Sequence, residues 1–165
     1  MKAIKKFRYR FMGELNDRGV LMDDENMRVE WTPDFETGIE IIDAQHKKLF
    51  ENINELLDSC EKGEAKEGVI KIFNFLEKYV IFHFGTEEDL MIKYRYPNYY
   101  QHRMLHDRFI IDMNGLKREF LKNGISDSFL LLIKHFVIDW LKYHIGGEDK
   151  RLGIYLMRFP EIVHS

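Results

Sequence analysis

The sequence predicts an all-α chain: an antiparallel, up-down-up-down four-helix bundle with an N-terminal extension and a short C-terminal segment. Three observations carry this. Apolar residues recur at intervals of three and four in four long stretches between about residues 38 and 145, the period of a helix with one buried face. Alternating apolar and polar runs, the mark of half-buried strands, are few. The connections are short, which makes successive helices antiparallel neighbours.

The elements follow in order. Residues 1–30 form an extension, expected to be flexible or loosely docked, before a bundle over 31–165. The extension opens with "KAIKKFRYR", five basic groups and no acid until Glu14. Its sharper reading is a basic contact surface for an unidentified partner or an acidic membrane face. The first helix, about 38–62, carries the stripe Ile39, Ile42, His46, Leu49, Ile53, Leu56 and Cys60. The second, about 66–94, carries Val69, Ile72, Phe73, Leu76, Val80, His83, Glu87 and Met91. A connection of about eight residues around Arg95 to Pro97 follows. The third helix, about 98–122, carries His102, His106, Phe109, Met113, Leu116 and Phe120, and Asn123-Gly124 caps it. The fourth, about 127–145, starts after an N-cap at Ser126. It carries Leu130, Ile133, Val137, Trp140, Leu141 and His144. A last piece, about 150–165, with Leu152, Tyr155, Leu156 and Phe159, is expected to pack over one end.

Composition bounds the function. With 45% hydrophobic and 32% charged residues and a net charge of −3, the chain has no strong field drawing it to nucleic acid. No apolar run approaches the roughly 20 residues of a membrane span, and the basic N-terminus lacks the apolar core of a signal peptide. Cys60, the single cysteine, excludes an internal disulfide and reads as a small buried hydrophobe. A cytoplasmic setting is the expectation.

Each of the four inward stripes contains a histidine. Buried polar groups without partners cost about a few kcal/mol each, so a core does not gather them without a use. Their depths agree. His46, His102 and His106 come early in their helices, whereas His83, Glu87 and His144 come late in the helices that run the other way. All therefore project into one end of the bundle. His83 and Glu87 are four residues apart, as are His102 and His106, which leaves each pair about 40° apart on a helix. His144 and Asp149 are five apart, about 140° on a regular helix. Gly146-Gly147 is expected to end the helix and let the chain curl Asp149 back. By the same count Glu88 lies about 140° from His83 and is expected to face solvent or a neighbouring helix surface, a hydrogen bond to a ligand histidine being the alternative. His135 is half a turn from His144 and is expected to face outward; His164 has no partner in any motif.

Five imidazoles and two carboxylates are too many donors for one ion. Two ions sharing bridging carboxylates, with an open position, fit the count. Imidazole with carboxylate suits iron, copper, zinc or nickel. So few carboxylates leave the site comparatively positive, which disfavours very high-valent iron and favours reversible binding of O2 over its cleavage.

At this point the chain resembles the hemerythrin family, in particular the prokaryotic single-domain bacteriohemerythrins. The resemblance spans about 31–157 and is carried by "GIEIIDAQHKKLFENINEL", "YVIFHFGTEEDLM", "YPNYYQHRMLHDRF" and "WLKYHIGGEDK". It implies a non-haem di-iron protein, not an enzyme, that binds O2 reversibly for carriage, storage or delivery. His102, His106 and His144 would hold one iron. His46 and His83 would hold the second and leave it a vacant position. Glu87 and Asp149 would bridge the two irons together with an oxo or hydroxo group. Leu49, Phe84, Trp140 and Leu141 would line the O2 pocket. The alternatives are an O2, NO or iron sensor using the same site, or peroxide or NO detoxification.

Overall fold

The computed structural model describes residues 29–159 and Glu161. Five α-helices and one π-helical segment run in order: α1 Glu40–Glu61, α2 Ala65–Lys93, α3 Tyr99–Asn123, α4 Asp127–Asp139, the π-helical segment Trp140–Asp149, and α5 Lys150–Leu156. Among the described residues there is no strand. The chain is an all-α four-helix bundle whose fourth long helix is built from α4, the π segment and α5. Side-chain pairings show the antiparallel order. His46 meets His83 while the later Ser59 meets the earlier Gly68. Glu88 meets His106 while the earlier Glu77 meets the later Lys117.

The helix ends follow local chemistry. The Ser126 hydroxyl accepts from the Phe129 amide at 3.2 Å, the N-cap read from the sequence. Gly124 closes α3 at φ +69°, a backbone region that side chains rarely adopt. At the start of α1, Asp43 accepts from the amides of Thr37 (2.8 Å) and Gly38 (3.1 Å) and from the Thr37 hydroxyl (2.8 Å). These bonds satisfy donors that a helix entry leaves unpaired.

Two expectations need correction. The connection between α2 and α3 is shorter than expected, only Tyr94–Asn98, because Arg95 takes a left-handed φ of 54° and turns the chain at once. The Tyr155 hydroxyl donates to the carbonyls of Tyr94 (2.9 Å) and Arg95 (3.2 Å) and ties down that turn. The second correction concerns Gly146-Gly147, which does not end the helix. The chain continues through it as π-helix into α5. A π turn bonds residue i to i+5, so residues five apart stack along one face. His144 and Asp149 thereby share a face without any break.

The core has two parts. The larger runs through Leu49, Ile53, Leu56, Ile72, Leu76, Phe109, Ile133, Leu141 and Ile145. The smaller gathers Ile39, Ile42, Met91, Tyr94, Tyr96, Leu152 and Leu156. Along each of three chains of residues a polar group interrupts the apolar run: His46 between Ile42 and Leu49, Glu87 between Phe84 and Met91, Asp149 between Ile145 and Leu152. The polar layer therefore lies within the bundle, with apolar residues on both sides. Backbone proximity holds the smaller cluster shut. A Cβ on Gly153 would stand 2.2 Å from the Thr37 carbonyl oxygen, so only glycine lets α5 lie against the entry to α1. Cys60 is half-buried against the main core, and burial pushes its thiol pKa up.

Candidate metal centre

The four long helices each send donors into the polar layer. His46 comes from α1, His83 and Glu87 from α2, His102 and His106 from α3, and His144 and Asp149 from the π segment. All seven are buried, none more than 4% exposed. They form two groups whose donor atoms lie within 4.8 Å of one another. One is Glu87, His102, His106, His144 and Asp149; the other is His46, His83, Glu87 and Asp149. Glu87 and Asp149 belong to both. The grouping that the resemblance implied is thus the grouping in space, with three imidazoles on one side of the shared carboxylates and two on the other.

The contacts between imidazoles and carboxylates inside the layer are close but are not hydrogen bonds in geometry. His144 Nε2 lies 3.0 Å from Asp149 Oδ1, and His106 Nε2 lies 3.1 Å from Glu87 Oε2. His46 Nε2 is 3.1 Å from Asp149 Oδ2, and His102 Nε2 is 3.1 Å from Asp149 Oδ1. Yet both oxygens of Glu87 and of Asp149, and Nε2 of His102, His106 and His144, have no hydrogen-bond partner and no solvent. The Nε2 atoms of His46 and His83 face each other at 3.2 Å. Lone pairs that converge on common points, rather than on each other, are what a shared cation requires. Metal bonds of about 2.0–2.2 Å at right angles leave donor atoms roughly 3 Å apart. By that test the residues fit a pair of metal ions.

Outer contacts orient two of the rings. His83 Nδ1–H donates to Gln45 Oε1 at 2.7 Å, and Gln45 Nε2 donates to the Thr86 hydroxyl at 3.0 Å. His106 Nδ1–H donates to Glu88 Oε1 at 3.2 Å. Each bond places the proton on Nδ1 and leaves Nε2 free to face inward. Glu88 thus takes the alternative read from the sequence, a hydrogen bond to one of the inward histidines on the neighbouring helix. It is 25% exposed and reaches across to α3, where Arg103 also approaches it at 3.6 Å. Gln45 escaped the sequence reading because it sits off the inward stripe. Its adjacency to His46 was the only signal.

Aromatic rings brace the imidazoles. Phe84 stacks on His106 with centroids 3.9 Å apart and planes at 1°. Trp140 stacks on His144 at 3.7 Å and 18°. Tyr79 lies over His83 at 4.6 Å and 25°, and Trp31 stands 6.3 Å from His46. Leu49 and Leu141 are each 1% exposed in the core. His135 is half-buried on α4 rather than fully outward, and belongs to neither donor group. His164 lies outside the described residues, as does the basic stretch of the N-terminal extension.

Charge in the layer without metal follows from burial and proximity. Burial opposes ionisation of Glu87 and Asp149. The surrounding histidines outweigh it and hold both carboxyls below the usual range. Burial lowers His83 to about 3 and lowers His144 as well. At His102 burial is outweighed by Asp149 and Glu87, which raise it to about 10. The layer thus presents two carboxylates, neutral imidazoles at His83 and His144, and a proton on His102 that metal would have to displace.

Comparison with known proteins agrees with this geometry. The model of the hemerythrin HHE cation binding domain matches residues 37–154. Bacteriohemerythrin of Clostridium acetobutylicum is 32% identical over 123 residues, which is 73% of this chain and 95% of that protein. Bacteriohemerythrin of Methylococcus capsulatus is 32% identical over 124 residues, 74% of this chain and 92% of that protein. A hemerythrin-like protein of Naegleria gruberi is 32% identical over 121 residues, 73% of this chain and 87% of that protein.

Proposed function

The chain belongs to the hemerythrin family, whose cofactor is a pair of irons, and we propose that it binds O2 reversibly as a carrier, store or delivery protein and not as an enzyme. The observation that supports this best is the unequal sharing of donors. Glu87 and Asp149 serve both groups, but one group has three imidazoles and the other only His46 and His83. His102, His106 and His144 would hold one iron. His46 and His83 would hold the other and leave it room for an outside ligand. The iron pair, when bound, supplies the electrons that make O2 binding reversible.

The remaining work falls to the protein's own side chains. Leu49, Phe84, Trp140 and Leu141 would line the ligand pocket and exclude water, which slows proton access and loss of reduced oxygen. Phe84 and Trp140, stacked on His106 and His144, also keep those rings from turning. Gln45 and Glu88 hold His83 and His106 with Nε2 inward.

Optical spectra of the iron-loaded protein, taken with metal analysis, test the reading. A pair of irons per chain is expected, with visible bands that appear in air and bleach on removing O2. An iron-loaded protein whose spectrum never reverses would overturn it. Steady-state turnover of peroxide or nitric oxide well above that of free iron would replace the carrier with a detoxifying role.

A further inference from the structure

Among the described residues, three side chains outside the seven donors bury a polar atom without a partner: Trp31 Nε1, Trp140 Nε1 and the Tyr79 hydroxyl. Only Tyr79 is itself a buried residue, 6% exposed; both tryptophans are half-buried. A buried hydroxyl left unpaired costs stability, and phenylalanine would fill the same space without that cost. The sequence nonetheless places a phenol here.

Its position is specific. Tyr79 is one helical turn before His83 on α2, and its ring lies nearly parallel to the His83 imidazole at 4.6 Å. Two parallel rings projecting from one helix face reach inward side by side. The phenol is the longer of the two, and its hydroxyl is buried. His83 and His46 meet across the antiparallel α1 and α2, so Tyr79, one turn before His83, lies at the depth of Leu49, one turn after His46. Burial pushes the Tyr79 pKa well up, and the carboxylates of Asp149 and Glu87 push it the same way, so the phenol keeps its proton. On its other sides are the rings of Phe75 (5.5 Å) and Phe84 (6.3 Å), which have no polar atom to offer.

We propose that the Tyr79 hydroxyl is a hydrogen-bond donor to the exchangeable ligand, O2 or a small anion in its place, held on the side of His46 and His83. This rests on the ligand-binding reading above and deepens it: beside the apolar Leu49 and Phe84, the phenol is a donor that the ligand would meet on this side. That donor selects ligands whose outer atom carries negative charge, such as reduced O2 or azide, over neutral ones such as carbon monoxide.

Tyr79→Phe tests this, with Tyr155→Phe as a control. In Tyr155→Phe the lost hydroxyl was bonded to Tyr94 and Arg95. Three quantities are measured: azide affinity of the oxidised iron-loaded protein, the O2 release rate, and the melting temperature of the metal-free protein. A single hydrogen bond predicts azide affinity about 5–10-fold weaker in Tyr79→Phe and O2 release faster by a similar factor. The metal-free melting temperature should be unchanged or higher, because an unpaired hydroxyl has been removed. Tyr155→Phe should lower the melting temperature and leave azide binding alone. Equal azide affinity in wild type and Tyr79→Phe would overturn the proposal while the reading of the site stands. A lower metal-free melting temperature in Tyr79→Phe would also overturn it, since the hydroxyl would then be structural. Iron-loaded wild type that binds neither azide nor O2 would overturn both.

Discussion

Adjacent glutamates at positions 87 and 88 divide a task that their identical chemistry does not reveal. Glu87 has both oxygens buried between the two donor groups. Glu88 is partly exposed, holds the outer nitrogen of His106 and is approached by Arg103. Glu87→Gln replaces a carboxylate oxygen with an amide NH2 that cannot serve as a donor to metal, so iron should be lost from the purified protein. Glu88→Gln keeps an acceptor for His106 Nδ1–H but removes its charge. It should retain iron, with affinity lowered by roughly 10-fold, the lower end for outer contacts of metal ligands. Metal analysis after graded chelator treatment separates the two. Equal iron loss in both would mean that Glu88 itself donates to the metal.

The π-helical segment Trp140–Asp149 is the element on which the site depends most. Regular helix places His144 and Asp149 on different faces; the wider turn brings them together. If the glycines of this segment served as a break, side chains there would harm the site. In the helix they occupy, a Cβ at Gly147 meets nothing within 4 Å, and its φ is not positive. Gly147→Ala should therefore stabilise the protein by about 0.5–1 kcal/mol, the usual cost of glycine inside a helix. Iron content should not change. A lower melting temperature, or iron loss, would show that the segment needs the freedom of glycine. This element also marks where sequence reading stopped short. The 3.6-residue period of the apolar stripes made the four long helices legible, and depth counting brought six of the seven gathered polar residues to one level, all but Asp149. A π turn has no such signature, because it alters spacing over a single stretch. The departure of His144 and Asp149 from the four-residue spacing was visible, but glycine suggested the wrong cause. Gln45 was illegible, and the bond of Glu88 to His106 legible only as an alternative, for a related reason. Angles around one helix axis say nothing about how far a long side chain reaches across to the next helix.

At the scale of the molecule, a charged layer is enclosed between two apolar clusters, so protons and metal compete for the same buried atoms. The metal-free protein should reveal this in its stability against pH. His83, lowered from 6.5 to about 3, and His144, also lowered, stay neutral in the fold. The unfolded chain protonates both below about 6.5. Between pH 6.5 and about 3 the unfolded state therefore binds more protons, and stability falls as pH falls. Glu87 and Asp149, held below their usual range, act in the same direction from about pH 4 downward. His102 acts the other way. Raised to about 10, it is charged in the fold, and its contribution is present below pH 6.5 and is lost as pH rises through 10. The metal-free melting temperature should pass through a maximum near neutrality and decline on both sides. Iron removes the alkaline decline, since bound histidines are neutral donors with no proton to lose from Nε2. The loaded protein should hold its melting temperature up to pH 10 and shed iron on the acid side, where protons displace it. Thermal melts of both forms from pH 4 to 10 check this. A metal-free protein whose stability rises on acidification from pH 7 to 4.5 would mean that the buried histidines take up protons readily, and that the layer is open to water rather than closed by its two apolar clusters.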